Sequence, residues 1–403
     1  MSRVLVLSRH KGQLDRRIVA GINALLASGR EVTFVSVPTM IPEDCFDGSV
    51  RIVMQSVNDT TSSMVDWLKR MAQKLPFSLQ NSMKTAWHCL QFSSLSSYFI
   101  QVTPRERFDV IHCHDLDTLP AGVELRNSIA PDAKLIYDSH ELFPFQYKHG
   151  EKRQRDWSRI ENAYIREASL VLTVNETIAG ELTRLYGIAR PEVIYNSYGA
   201  RRSTVPLTEE TFLAYFAAPA GGFRVICQGT FIREKNLENL VKAFRHLPDS
   251  VQLFLLGKGP AEARLKTLCR KLGVSNVFFG RWVPQEDLLH YIAHAHVGVI
   301  PYSGSTLLNN LYCTPNKLFE FIEAEIPICA SDLPELRRIV AGHGIGDVYP
   351  MEDAAAIAHA IEACRARCLR GDFELSARRA TRETFSWNKQ GSKLIALYER
   401  LGV

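Results

Sequence analysis

Apolar runs and helical patterns alternate along nearly the whole chain. In the first half the runs are VLVLS from Val4, EVTFVSV from Glu31, VRIVMQS from Val50, FDVIHCH from Phe108, KLIYDSH from Lys134, SLVLTVN from Ser169 and EVIYNS from Glu192. In the second half they are FRVICQG from Phe223, VQLFLLG from Val251, NVFFG from Asn276, VGVIPY from Val297 and PICAS from Pro327. Continuous apolar strands separated by helices predict parallel sheets covered on both faces. Twelve such strands are many for one sheet, and the rhythm breaks once, at residues 201–222, which carry no strand. The pattern therefore predicts an α/β chain of two Rossmann-like, doubly wound parallel-sheet domains facing across a cleft. The N-terminal domain spans 1–200, the linker 201–222 and the C-terminal domain 223–384. A last helix over 385–403, with Leu394, Ile395, Leu397, Tyr398 and Leu401 apolar, has the face needed to cross back to the first domain.

One segment departs from the βα rhythm. Residues of about 60–105 read as a helical insertion, apolar and basic, with Lys69, Arg70, Lys74 and Lys84 against Asp66. Two readings stand: a helical hairpin packed on the sheet, or a face that meets an anionic membrane or a lipid-linked acceptor.

Composition narrows the classes. With 403 residues, 46% of them hydrophobic, the chain has ample material for two cores. A formal charge of +5 is mild, and no arginine-rich run interleaved with aromatics points to nucleic acid. Nine cysteines without a framework spacing read as reduced thiols, and Cys364 and Cys368 as ordinary helix residues one turn apart. No stretch approaches the ~20 apolar residues that span a bilayer. The apolar run at the N-terminus is too short for a signal peptide. A cytoplasmic protein is expected, with the inner face of the membrane as its one membrane option; the sequons at Asn58 and Asn175 then carry no glycan.

Ligands of open parallel sheets bind beyond the carboxyl ends of the strands, so the polar residues there are the candidates. In the second domain QGTFIREKN places Gly229, Arg233 and Lys235 before a helix, and LLGKGP places Gly257 in a second glycine-rich turn. Glycine admits a ligand to the backbone, and cations with a helix N-terminus suit phosphate. The third loop, PYSGSTLLNNLYCTPNK, leads into NKLFEFIEAE. There Thr314 is expected to cap the helix with Pro315 at its first position. Asn316, Glu320 and Glu323 share a polar face of this otherwise apolar helix. The ligand implied is a diphosphate with its nucleoside toward Glu320. In the first domain HCHDLDTLP and YDSHELFPF crowd His112, His114, Asp115, Asp117, His140 and Glu141 on one edge. A metal site is one reading, and DLD as a cation-binding D-x-D is another. Histidines that merely close strand ends are a third. His112 and His114 share a strand face. His140, flanked by Asp138 and Glu141, is the leading functional candidate.

These motifs resemble the retaining glycosyltransferases with the GT-B fold, particularly family 4. The likeness rests on QGTFIREKNLENLVKAF, VQLFLLGKGP, VFFGRWVPQEDLLHYIAHAHVGVIPY and NKLFEFIEAEIPICASD in that order. HCHDLDTLP and YDSHELF resemble first-domain motifs of its bacterial polysaccharide members. The resemblance implies transfer of a hexosyl or N-acetylhexosaminyl group from a nucleotide sugar, with a UDP-sugar favoured, to a glycan or lipid-linked acceptor. It implies retention by front-face substitution, without a metal or other cofactor. Lys235 would neutralise the leaving diphosphate, assisted by Arg233, with Gly229, Thr230 and Gly257 around the donor. Glu320 would bind the ribose, backbone amides near Lys317 and Leu318 the phosphates, and His140 would stand near the transferred sugar. His114, Asp115 and Glu141 would line the acceptor side.

The chain departs from the family pattern at three positions. Tyr312 stands where the first glutamate of E-x7-E belongs, which leaves Asn309, Asn310 or Asn316 to take its place. Thr230 stands where an arginine is usual, and Glu325 where a glycine is common before the final strand. Two rivals remain: a nucleotide-sugar epimerase of similar shape, and a nucleotide-sugar-binding protein that has lost catalysis.

Overall fold

The computed structural model describes residues 1–9, 14–41, 45–55, 95–146, 151–199, 206–304 and 307–403. Most of the 60–105 insertion lies outside them; within it residues 95–102 are helical. The chain divides into two compact units, residues 1–195 with 391–403, and residues 196–390.

The first unit is built on seven parallel strands, β1 (Arg3–Ser8), β2 (Glu31–Ser36), β3 (Val50–Val53), β4 (Val110–His114), β5 (Lys134–Ser139), β6 (Leu170–Thr173) and β7 (Glu192–Val193). Their order is β3-β2-β1-β4-β5-β6-β7, so the winding reverses between β1 and β4. Strands buried on both faces explain the unbroken apolar runs, as in β1, where Val4 to Leu7 are buried. The helix Trp387–Arg400 supplies its last turns to this unit. Lys393 donates to the Val193 carbonyl at 2.9 Å and Arg400 pairs with Glu192 at 2.8 Å, both at β7. The sequon residue Asn175 is buried and caps the helix Glu176–Tyr186, its Oδ1 accepting from Ile178 N at 2.8 Å.

The second unit has six strands, β8 (Phe223–Thr230), β9 (Val251–Lys258), β10 (Val277–Gly280), β11 (Val297–Ile300), β12 (Ile328–Ser331) and β13 (Gly346–Tyr349). The order β10-β9-β8-β11-β12-β13 reverses between β8 and β11. Strand β13 has no counterpart in the apolar pattern. It is a half-buried edge strand, GDVY, whose polar residues give no apolar run. The stretch read as linker contains the helix Glu209–Phe216. Phe212 and Phe216 lie 4.9 and 5.0 Å from the Phe254 ring of β9, so part of it joins this unit's core.

The helix Asn316–Glu323 starts one residue later than its sequence suggests. Pro315 takes the cap position in extended backbone, and its ring makes no cap hydrogen bond. Proline's fixed φ suits extended backbone as well as a first helical turn, and it favours an extended Thr314 before it. Leu318, Phe319, Phe321 and Ile322 are buried. Each contributes roughly 1.5–3 kcal/mol on burial. Gly298 of β11 lets this helix lie on the sheet, since a Cβ there would come within 2.6 Å of the Phe321 ring. Among the described residues no helix is long and apolar enough to cross a membrane.

Candidate functional site

Each sheet presents a polar cluster at its topological switch point. In the first unit the cluster is organised around Asp138 at the end of β5, which pairs in register with His114 of β4. Arg17, on the helix Arg16–Ala27, is buried and grips both Asp138 oxygens, Nε at 2.9 Å and Nη2 at 2.8 Å. Its Nη1 donates to the Ile194 carbonyl at 2.5 Å. His112, His114 and His140 each bring a ring nitrogen to 3.6–3.7 Å from Asp138 Oδ2. The His112 and His114 rings stack at 4.4 Å, as their shared strand face requires. His112 Nδ1 shares a hydrogen bond of 2.7 Å with the Tyr398 hydroxyl, and His114 Nδ1 lies 3.0 Å from His140 Nε2.

The proton positions follow from the charges. Burial disfavours the charged form of His140, but Asp115 and Asp138 outweigh it and hold its pKa up at about 9. Burial and the neighbouring His112 hold His114 well below the usual imidazole range. His140 is therefore the donor and neutral His114 the acceptor of their bond. Arg17 overcomes burial and keeps Asp138 ionised, well below the ordinary carboxylate range. Burial pushes Asp115 up to about 6, and burial with the Asp115 charge pushes Asp117 up to about 7.

The structure also settles where DLD points. Asp115 Oδ1 accepts from the His140 backbone N–H at 3.1 Å, and Asp117 pairs with Arg9 at 3.2 Å. The Glu141 carbonyl accepts from Ser139 Oγ at 2.9 Å. His112, His114 and Asp138 do offer ligand atoms within 4.8 Å of one another, close enough for a metal ion. The Arg17 guanidinium on both Asp138 oxygens opposes a dication there. The cluster is better described as a charge-compensated hydrogen-bond network.

In the second unit the site is built from close backbone approaches. A Cβ on Gly257 would collide with the Gly229 carbonyl oxygen, and both glycines have positive φ, 150° and 119°. Only glycine suits that pairing of β8 and β9 ends. After β8 a 3-10 turn, Arg233–Lys235, sets Lys235 Nζ 4.1 Å from the centroid of the buried Tyr302 ring, just beyond β11. Lys317 Nζ lies 5.2 Å from the same ring. One turn along, Glu320 is buried and accepts from Gln228 Nε2 at 2.8 Å. The Gln228 Oε1 atom is buried with no hydrogen-bond partner among the described residues. Thr230, Arg233 and Asn316 are exposed on this edge, and Leu318 is buried beneath it.

Two of the asparagines and Glu325 have defined places in the fold. Asn310 is buried and donates to the Glu234 carbonyl at 3.1 Å, so it braces the Lys235 turn. Asn316 Oδ1 accepts from Asn196 Nδ2 at 2.7 Å. Glu325 has φ 56°, the left-handed backbone that favours glycine after a helix. Its carboxylate is held by Arg382 at 2.9 Å and Arg379 at 3.3 Å, and Arg378 donates to its carbonyl. Residues the sequence did not mark are Arg17, Cys227 and Tyr302. Periodicity offered one usable signal, an arginine among the first helical residues after β1.

Two family models match the chain, and between them they cover well over half of it. "Glycosyltransferase Family 4" matches residues 50–198 and "Glycosyl transferases group 1" matches residues 222–366. A phosphatidyl-myo-inositol mannosyltransferase of Mycobacterium leprae is 31% identical over 99 residues, 22% of this chain. The match spans about a quarter (26%) of that relative's length. Among solved structures, sucrose-phosphate synthase from Thermosynechococcus elongatus superposes with TM-score 0.71 at 20% identity, covering 100% of this chain and 99% of that one. Anabaena HepE in complex with UDP-glucose superposes with TM-score 0.68 at 14% identity, covering 99% and 100%. At such identities the superpositions speak to the fold. Two Rossmann-like units, each matched by a family model of the same kind, lead to one conclusion: the chain belongs to the family 4 type of glycosyltransferases with the GT-B fold.

Proposed function

We propose that the chain transfers a sugar from a nucleoside diphosphate sugar to a hydroxyl of a glycan or lipid-linked acceptor, with retention at the anomeric carbon. The observation that carries this reading is the second unit's edge. Lys235 at Tyr302, the Gly229–Gly257 approach and the Glu320–Gln228 pair lie together at one switch point. A diphosphate suits the lysine and the positive end of the helix Asn316–Glu323, although the Leu318 amide expected to meet it donates to the Pro315 carbonyl at 2.8 Å; the ribose hydroxyls suit Glu320 with the Gln228 oxygen, which has no partner among the described residues. The HepE complex with UDP-glucose supports a uridine nucleotide as the donor. The mannosyltransferase relative supports a lipid-linked acceptor.

In the proposed reaction the bond between the anomeric carbon and the diphosphate oxygen breaks, and its electron pair leaves with the diphosphate. The acceptor hydroxyl bonds to the same face of the carbon and gives its proton to a diphosphate oxygen. Fixed cations and helix amides stabilise the leaving charge in place of a metal ion. His140, protonated at neutral pH, is assigned to hydroxyls of the transferred sugar as a donor.

The test is acceptor-dependent release of nucleoside diphosphate from UDP-, GDP- and ADP-sugars, with nucleoside monophosphate release from CMP-sugars as the comparison. Release from one donor, with the product's anomeric configuration matching the donor's, is the expected result. An inverted product contradicts the retaining mechanism. No release and no nucleotide binding contradict the whole reading.

A further inference from the structure

Lys317 stands in an unfavourable place for a lysine. It is only 7% exposed. Its ammonium has one hydrogen-bond partner among the described residues, the Cys227 thiol at 3.3 Å, a weak acceptor. Its other neighbour is the Tyr302 ring, which Lys235 also approaches. The residue is second in its helix, at the positive end of the helix dipole. No carboxylate pairs with this buried ammonium among the described residues, and a second lysine approaches the same ring. Arg17 in the first unit shows the alternative, since its buried charge is met by both oxygens of Asp138. Such a charge is maintained when an anion completes its surroundings.

The surroundings indicate what anion fits. Lys317 Cε lies 3.9 Å from the position a Cβ would take on Gly229, so the lysine runs beneath the glycine edge of β8. The next residue, Thr230, is exposed and brings no charge. We propose that the Lys317 ammonium is the second cation of the diphosphate site, sharing the leaving oxygens with Lys235, with the Cys227 thiol and Tyr302 ring positioning it. The proposal rests on the reading of this edge as a diphosphate site.

Lys317→Met keeps the length and removes the charge. Inorganic pyrophosphate and UDP are titrated calorimetrically into wild type, Lys317→Met and Lys235→Met, and each apoprotein is melted. The expected result is about 10–100-fold weaker binding by Lys317→Met, the scale of one charge-assisted contact. Its apoprotein is expected to melt no lower than wild type, because an under-paired buried charge is gone. A Lys317→Met protein that melts lower yet binds pyrophosphate and UDP as wild type does would show a structural lysine and overturn the proposal. Should Lys235→Met alone lose binding, the proposal falls while the diphosphate reading stands. Should wild type bind neither probe, both fall.

Discussion

The two switch-point clusters handle charge in opposite ways. In the first unit's cluster the charges answer one another within the fold: Arg17 by Asp138, His140 by Asp115 and Asp138, Asp117 by Arg9. In the second unit glycines bring backbone close, Lys235 and Lys317 gather at one tyrosine, and Lys317 has only a thiol for a hydrogen-bond partner among the described residues. A self-compensated cluster is suited to holding protons at fixed atoms and presenting them to neutral hydroxyls. A cluster with surplus positive charge is suited to an anion. Under the proposed function, sugar hydroxyls fall to the first and the diphosphate to the second.

That contrast can be broken at its strongest point first. Asp138→Ala strands the buried Arg17 guanidinium, a loss of about 3–5 kcal/mol for a broken buried pair. For a unit of this size the melting temperature should fall by roughly 6–20 °C. A fall of a degree or two, read by calorimetry, means the network is not self-compensated. Next in size, Lys235→Ala is expected to lower transfer at least ~100-fold with melting unchanged, the scale of one preorganised charge contact. Near-wild-type turnover removes Lys235 from the chemistry.

A smaller effect follows from His140. Its folded pKa of about 9 lies above the ordinary 6.5. Below pH 6.5 the ring is protonated in both folded and unfolded chains, and its stabilisation is fully present; it is lost as pH rises to about 9. The melting advantage of wild type over His140→Asn should shrink across that window, and transfer by wild type should decline above it. A pH-independent difference in melting contradicts the protonated assignment. Smaller again, Tyr398→Phe leaves His112 Nδ1 without its hydroxyl. Denaturant titration should register about 1 kcal/mol. Last, Glu325→Gly relieves a left-handed φ but loses two partly exposed ion pairs. These terms oppose each other at ~1–2 and ~0–1 kcal/mol per pair, so the net effect is expected between a gain of about 2 and a loss of about 1 kcal/mol. A larger loss would mean the arginines of the helix Leu375–Thr384 hold the helix Asn316–Glu323 in place.

What was legible in the sequence follows from local physics. Buried parallel strands announce themselves by apolar runs, and the His112–His114 alternation puts both rings on one face of β4. Strand order was not legible, because it depends on contacts between distant segments; yet it is what places both clusters at switch points. Arg17 reads as an ordinary basic residue at a helix start, and only the fold buries it against Asp138, 121 positions away. Tyr302 reads as a strand-end aromatic, and only the packing of two loops makes it a platform for lysines. Strand β13 leaves no apolar run in the sequence because an edge strand needs no apolar face on both sides. The cap of the helix Asn316–Glu323 differs by one residue from the sequence expectation because Pro315 suits both positions.

The central claim is that the anion belongs to the second unit's edge and not to the first. UDP binding measured by calorimetry on wild type, Lys235→Ala and His140→Ala tests it directly. The expected result is binding by wild type and His140→Ala alike, with affinity lost in Lys235→Ala. Undiminished binding by Lys235→Ala, or loss confined to His140→Ala, would contradict it.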